Sequence, residues 1–231
     1  MPSCKPMEYT IKAIARIRSD FPTKFGIPRQ AGIVEELEAR IVFEPEYRNP
    51  DALRGLEGFS HIWLIWQFSE AVREDWSPTV RPPRLGGNTR MGVFATRSPF
   101  RPNALGLSCV RLLGIEDTEE GKTLRVAGAD LMDGTPIFDI KPYIPYADCK
   151  PEAESGFAPD PGAQLTVEFL PEAEKQIPPE KREALRGVLA NDPRPRYKQD
   201  GERVYALEFA GREVKFQVKN NVLRVLSAEV L

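Results

Sequence analysis

The chain has no uninterrupted run of about 18 apolar residues, the length at which a helix begins to span a bilayer. Its first residues, Met1-Pro2-Ser3-Cys4-Lys5-Pro6, carry no apolar stretch behind their charge, so they do not read as a secretory signal. Histidine occurs once, at His61, and the three cysteines, Cys4, Cys109 and Cys149, form no CxxC pair. No metal site is therefore expected. An odd number of scattered cysteines fits reduced thiols in a cytoplasmic protein better than a disulfide framework. Common catalytic signatures are missing too. Without GxGxxG there is no support for a Rossmann nucleotide site or the doubly wound methyltransferase fold. Without HxE and PCxxC a base deaminase is excluded, and GxSxG is absent. Gly121-Lys122-Thr123 ends like a phosphate loop, but Glu116 stands where its first glycine belongs, and residues 117–120 would repel phosphate.

What is present is an ordinary globular composition: 231 residues, 41% hydrophobic and 29% charged. That suffices for one core, or for one core and a small partner domain. The net charge of -2 averages over two opposed segments. Between Asp75 and Glu116 no acid occurs, while Arg81, Arg84, Arg90, Arg97, Arg101 and Arg111 all fall there. From Pro151 to Glu174 six acids occur with no Lys or Arg. Arginine suits planar, bidentate contact with carboxylate and phosphate, and a local basic field attracts anions whatever the net charge. Pairing of these arginines with acids elsewhere in the chain is the competing explanation.

Alternation over 9–18 predicts a strand, with Tyr9, Ile11, Ala13, Ala15 and Ile17 on one face. Further β-rich runs are 39–44, 61–68, 91–96, 105–115, 123–129 and 137–140, separated by Gly and Pro clusters. Many short strands with few helices suggest a closed or sandwiched antiparallel sheet, with one short helix near 51–56. The acidic, Pro- and Gly-containing stretch 151–163 reads as a linker between a domain over 1–150 and a smaller α+β domain over 164–231. In the latter, 165–170 predicts a strand and 178–190 a helix stopped by Asp192-Pro193-Arg194-Pro195. Strands at 205–209, 213–218 and 223–226 follow, with turns at Gly211 and Asn220-Asn221.

His61, Trp63, Trp66 and Phe68 lie in one apolar run and read first as core. Asp130, Asp133, Asp139 and Asp148 read singly as turn or strand-end aspartates. Two segments favour a ligand instead. Asp133-Gly134-Thr135-Pro136 is a compact turn that offers N–H groups, a hydroxyl and a carboxylate. Two prolines stiffen 98–103, a loop that presents Arg101 and Asn103 beside Arg97.

The blocks Pro28-Arg29-Gln30, GLEGFSHIWLIWQF (55–68), RPPRLGG (81–87), RMGVFATRSPFRPNALGLS (90–108) and DLMDGTPIFDIKPYIPYA (130–147) resemble the TrmO proteins. DPRPRY (192–197) resembles the C-terminal extension of the bacterial members. The resemblance implies a mainly β fold: a small antiparallel β-barrel catalytic domain followed by a small α+β domain that aids tRNA binding. It implies a homodimer that uses S-adenosyl-L-methionine (SAM) to methylate N6 of N6-threonylcarbamoyladenosine beside the tRNA anticodon. Carried over by block, the SAM contacts are Pro28, Arg29, Gln30, Ser69, Glu70, Arg97, Leu107, Asp133, Gly134, Thr135 and Pro136. Arg97 or Arg29 suits the SAM carboxylate, Asp133 its ammonium or ribose, and Leu107 its adenine.

The urea-like N6 is a poor nucleophile, so a proton acceptor would help; the candidates are Asp133, Asp139 and Tyr143. For the substrate, the threonyl carboxylate needs a cation from Arg101, Arg194 or Arg196, with Asn103 beside them. A SAM- or RNA-binding module without chemistry is the alternative that the same arginine-rich face could serve.

Overall fold

A computed structural model describes residues 7–73, 75–194 and 202–231. Its strands are β1 (Ala15–Arg18), β2 (Glu38–Phe43), β3 (His61–Gln67), β4 (Thr79–Val80), β5 (Met91–Gly92), β6 (Leu105–Thr118), β7 (Gly121–Ala127) and β8 (Pro136–Pro142). After a single helical turn, α1 (Pro145–Asp148), come β9 (Thr166–Phe169), α2 (Pro171–Gln176), α3 (Pro179–Ala190), β10 (Val204–Phe209), β11 (Arg212–Lys219) and β12 (Val222–Val230).

Six strands hydrogen-bond in the cyclic order β1-β2-β7-β6-β3-β8, so the sheet closes on itself as a barrel and leaves no edge. Period-2 alternation fills its interior. In β3, Ile62, Leu64 and Trp66 are buried while His61, Trp63 and Ile65 look outward. Ile17, Ile41, Leu124, Val126 and Ile137 join them at 0% exposure. Each such side chain contributes about 1.5–3 kcal/mol relative to an exposed one.

The second sheet, β10-β11-β12-β9, is a meander extended by the parallel strand β9. α2 and α3 supply Ala173, Ala184, Leu185, Val188 and Leu189 to its core. That core also takes Phe21, Val34 and Leu37, which belong to the segment between β1 and β2. Phe21 meets Phe209 edge-on at 5.3 Å, and Lys181 pairs with Asp20 at 2.6 Å. α3 presses so closely on Val34 that a Cβ at Gly187 would lie 2.6 Å from its Cγ1. The C-terminal sheet therefore buttresses the 19–37 segment from outside the barrel.

Three local expectations differ from the structure. The 9–18 strand shortens to Ala15–Arg18, because β2 and β8 offer partners only there, and Tyr9 and Ile11 stand exposed. The 91–96 strand is two residues, Met91–Gly92, followed by a 3-10 turn over Val93–Ala95 that Thr96 stabilises by donating its hydroxyl to Val93 O at 2.8 Å. The helix near 51–56 is a 3-10 turn, Pro50–Leu53, capped by Asn49.

Candidate functional site

A cavity of about 840 Å³ opens beside one end of the barrel, at the end of β3 and the start of β6, within the size range of small-molecule sites. Segments far apart in sequence converge on it. Pro28, Arg29 and Gln30 come from the buttressed segment, Ser69 and Glu70 from the turn after β3, and Arg97, Arg101 and Asn103 from the proline-stiffened loop. Leu107 comes from β6 and Thr135 from the turn before β8. Arg97 donates to Gln30 Oε1, and Gln30 donates to Arg29 O, so these two walls are bonded to each other. Arg101 donates to Thr96 O at 3.1 Å within its own loop, and the Arg73 guanidinium lies 4.0 Å from the Phe100 ring.

Trp66 and Gly106 form the wall between barrel and cavity. Their cross-strand pairing in β3 and β6 lays the indole against the glycine, where a Cβ would lie 2.2 Å from the ring. Only a residue without a side chain admits this approach. Trp66 Nε1 donates to Ser108 Oγ at 2.9 Å, and Ser108 Oγ donates to Asp130 Oδ1 at 2.6 Å. Asp130 lines the cavity. Burial pushes its carboxyl toward the protonated form, a shift partly offset by the Ser108 bond and by Arg97.

The other expected residues lie elsewhere. Gly134 and Pro136 flank the cavity-lining Thr135 without lining the cavity themselves. Asp133 turns to β1: its carboxylate accepts from Ser19 N at 3.0 Å and sits 3.8 Å from Arg18. Asp139, nominated as a proton acceptor, is off the cavity. The β3–β8 register slips between Ile65 and Trp66, so Asp139 pairs with outward-facing Ile65 while Ile137 pairs with inward-facing Trp66. Its carboxylate pairs with Lys141 at 3.0 Å.

Tyr143, the third candidate after Asp133 and Asp139, is also off the cavity, packed beside Trp63 and His61 at ring separations of 5.8 and 6.2 Å. Partial burial and the adjacent Cys149 raise its phenol above the ordinary range. Arg194 is 8% exposed and grips Asp192 through two bonds of 2.8 and 2.9 Å, which commits its guanidinium to the end of α3. Arg196 lies outside the described residues.

Along the chain Asp130 reads as a turn or strand-end aspartate, yet in the fold it lines the cavity. Its partners, Ser108 and Trp66, are 22 and 64 positions away, and no spacing rule joins them. Of the six arginines in the acid-free segment, Arg84 alone has a carboxylate within ion-pair distance among the described residues, Asp160 at 3.9 Å. The basic segment is thus largely not neutralised by acids among the described residues. Among the described residues no three His, Cys, Asp or Glu side chains gather as metal ligands would, and no helix is long and apolar enough to cross a membrane.

Two family profiles cover the chain. The tRNA-methyltransferase O N-terminal domain matches residues 16–149, and the TrmO C-terminal domain matches residues 162–230. The tRNA (adenine(37)-N6)-methyltransferase of Escherichia coli (strain K12) is 41% identical over 96% of this chain and 98% of its own length. A Pyrococcus abyssi protein named as a probable S-adenosyl-L-methionine-binding protein is 35% identical over 66% of this chain and 77% of its own. The crystal structure of TrmO from Pseudomonas aeruginosa superposes with a TM-score of 0.80 at 33% identity, covering 96% of this chain and 98% of that one. With both halves matched in order, the chain belongs to the TrmO family.

Proposed function

We propose that this protein is a SAM-dependent tRNA methyltransferase that methylates N6 of adenine 37, and that its substrate is the N6-threonylcarbamoyl form of that base. One observation carries the reading: five separated blocks, at 28–30, 69–70, 97–103, 107 and 135, meet around a single cavity large enough for SAM. Its lining matches the donor's chemistry. Arg97 and Arg29 offer cations to a carboxylate, Glu70 offers an anion to an ammonium, and Leu107, Trp66 and Gly106 offer apolar surface to an adenine.

Arg101 and Asn103 share the cavity with this set, so they are the residues proposed to face the threonylcarbamoyl group. Arg194 is not, because Asp192 already holds it. Arg81, Arg90 and Arg111 are exposed and belong to the acid-free segment, which supports an electrostatic surface for the tRNA backbone. The protein is proposed to act as a homodimer in the cytoplasm. Support for the dimer comes from the outward face of β6, where Leu105 and Leu107, 39% and 57% exposed, also line the cavity, so that a second copy covering this face would close over the bound SAM.

Calorimetric titration with SAM, followed by transfer of a labelled methyl group to tRNA, tests the proposal. The expected result is saturable binding at one site per chain and label in tRNA. Binding without transfer would favour a SAM-binding module that does no chemistry.

A further inference from the structure

We propose that Asp130 is the proton acceptor of the methyl transfer, held in place by a one-way relay from Trp66 through Ser108. This inference rests on the methyltransferase reading above and assigns within it the role for which Asp133, Asp139 and Tyr143 were the candidates, none of which lines the cavity.

Among the described residues two acidic side chains line the cavity, Glu70 and Asp130. Glu70 sits at the rim, its side chain 53% exposed and 3.9 Å from Lys24. Asp130 is built into the wall. The indole N–H of Trp66 can only donate, so it occupies a lone pair of the Ser108 hydroxyl and leaves that hydroxyl's single proton for Asp130. Trp66 is 5% exposed and Ser108 2%, so water does not compete for either bond. The relay therefore runs in one sense, from indole to hydroxyl to carboxylate. It fixes Oδ1 of Asp130, and the backbone N–H groups of Asp130 itself and of Ala31 also favour the charged carboxylate.

Partial burial makes this carboxylate a stronger base than an exposed aspartate, and Arg97 is the charged group that moderates the effect. In the reaction, the exocyclic nitrogen forms a bond to the methyl carbon as the carbon–sulfur bond breaks. The sulfonium becomes a neutral thioether, and the nitrogen's proton passes to the Asp130 carboxylate, which later releases it to water.

The test uses the full-length chain with SAM and tRNA. Asp130→Asn keeps an acceptor for Ser108 but cannot take the proton. It is expected to lower kcat by about 10²–10⁴-fold, the usual contribution of a positioned base, with SAM affinity by calorimetry nearly unchanged. Ser108→Ala removes a bond that favours the charged carboxylate, so the acidic limb of the pH–rate profile should move to higher pH. Ser108→Thr, which keeps the hydroxyl, should restore it. The Ser108 readout stands even where Asp130→Asn folds poorly.

A variant at Asp130 with full kcat and weakened SAM binding would make the residue an ammonium anchor and overturn the proposal. An unshifted pH profile in Ser108→Ala would do the same. If the unaltered protein transfers no methyl group at all, the methyltransferase reading fails and takes this inference with it. Activity retained in both the parent and Asp130→Asn defeats this inference alone.

Discussion

Gly106→Ala puts the site's architecture to a quantitative test. The new Cβ would sit 2.2–2.6 Å from three atoms of the Trp66 ring, well inside van der Waals contact. The indole is rigid, 5% exposed and packed on Phe68 at 4.3 Å between ring centroids, so it cannot yield without moving as a body. Overpacking of this kind costs about 1–3 kcal/mol. Displacement of the ring also breaks the bond to Ser108, adding about 1 kcal/mol. The total of roughly 2–4 kcal/mol corresponds to a fall in Tm of about 4–16 °C for a chain of this size. Scanning calorimetry measures the first effect and SAM titration the second, since the displaced indole must move into the cavity or away from its wall. A Tm within about 1 °C of the parent, against the 2–4 °C expected per kcal/mol, together with unchanged SAM affinity, would refute the close packing of Trp66 on Gly106.

Phe21→Ala should destabilise by about 3–5 kcal/mol and weaken SAM binding as well, because Phe21 ties the C-terminal sheet to the segment that carries Pro28–Gln30. Loss of stability without loss of affinity would uncouple the two. Arg194→Ala should cost about 1–3 kcal/mol by stranding Asp192, less than a fully buried pair because Asp192 keeps 27% of its side-chain exposure. Its KM for tRNA should stay at the parent value below the melting range, and a tenfold rise there would return Arg194 to the substrate site.

Burial raises the Asp130 carboxyl in the fold above its unfolded value, so its contribution to stability is full at low pH and is lost as pH rises through the folded value. Asp130→Asn should therefore gain stability relative to the parent as pH rises toward neutrality; a constant difference in Tm from pH 3 to pH 8 would contradict the assigned cause. Affinity for tRNA should fall steeply with salt as arginine–phosphate contacts release counterions, and Arg90→Ala should flatten the slope.

The mainly β fold was legible because alternation is a local property. The 61–68 run predicted β3 to within a residue, and the Asn220-Asn221 turn appears between β11 and β12 with both residues at positive φ. The shared core was not legible. Nothing in the composition of 19–37 indicates that Phe21, Val34 and Leu37 pack on a sheet formed by residues 166–230. Simple alternation from buried Ile137 also places Asp139 inward, and only the slipped register with β3, a property of two strands together, turns it out.

Arg194 shows the opposite case. A cation two residues from an aspartate can read as a substrate ligand along the chain, yet in the fold the two satisfy each other. Asp130 was hidden for the converse reason. An aspartate at a strand end is ordinarily a turn former, and its relay exists only once β3 and β6 pair.

The most direct test of the account is mass spectrometry of nucleosides from tRNA incubated with SAM and the protein. Two substrates should be compared, one with and one without the threonylcarbamoyl group on adenine 37. The account predicts one added methyl on the threonylcarbamoyladenosine nucleoside and none on the unmodified tRNA. Methylation of unmodified adenine, or of a different nucleoside, would contradict it.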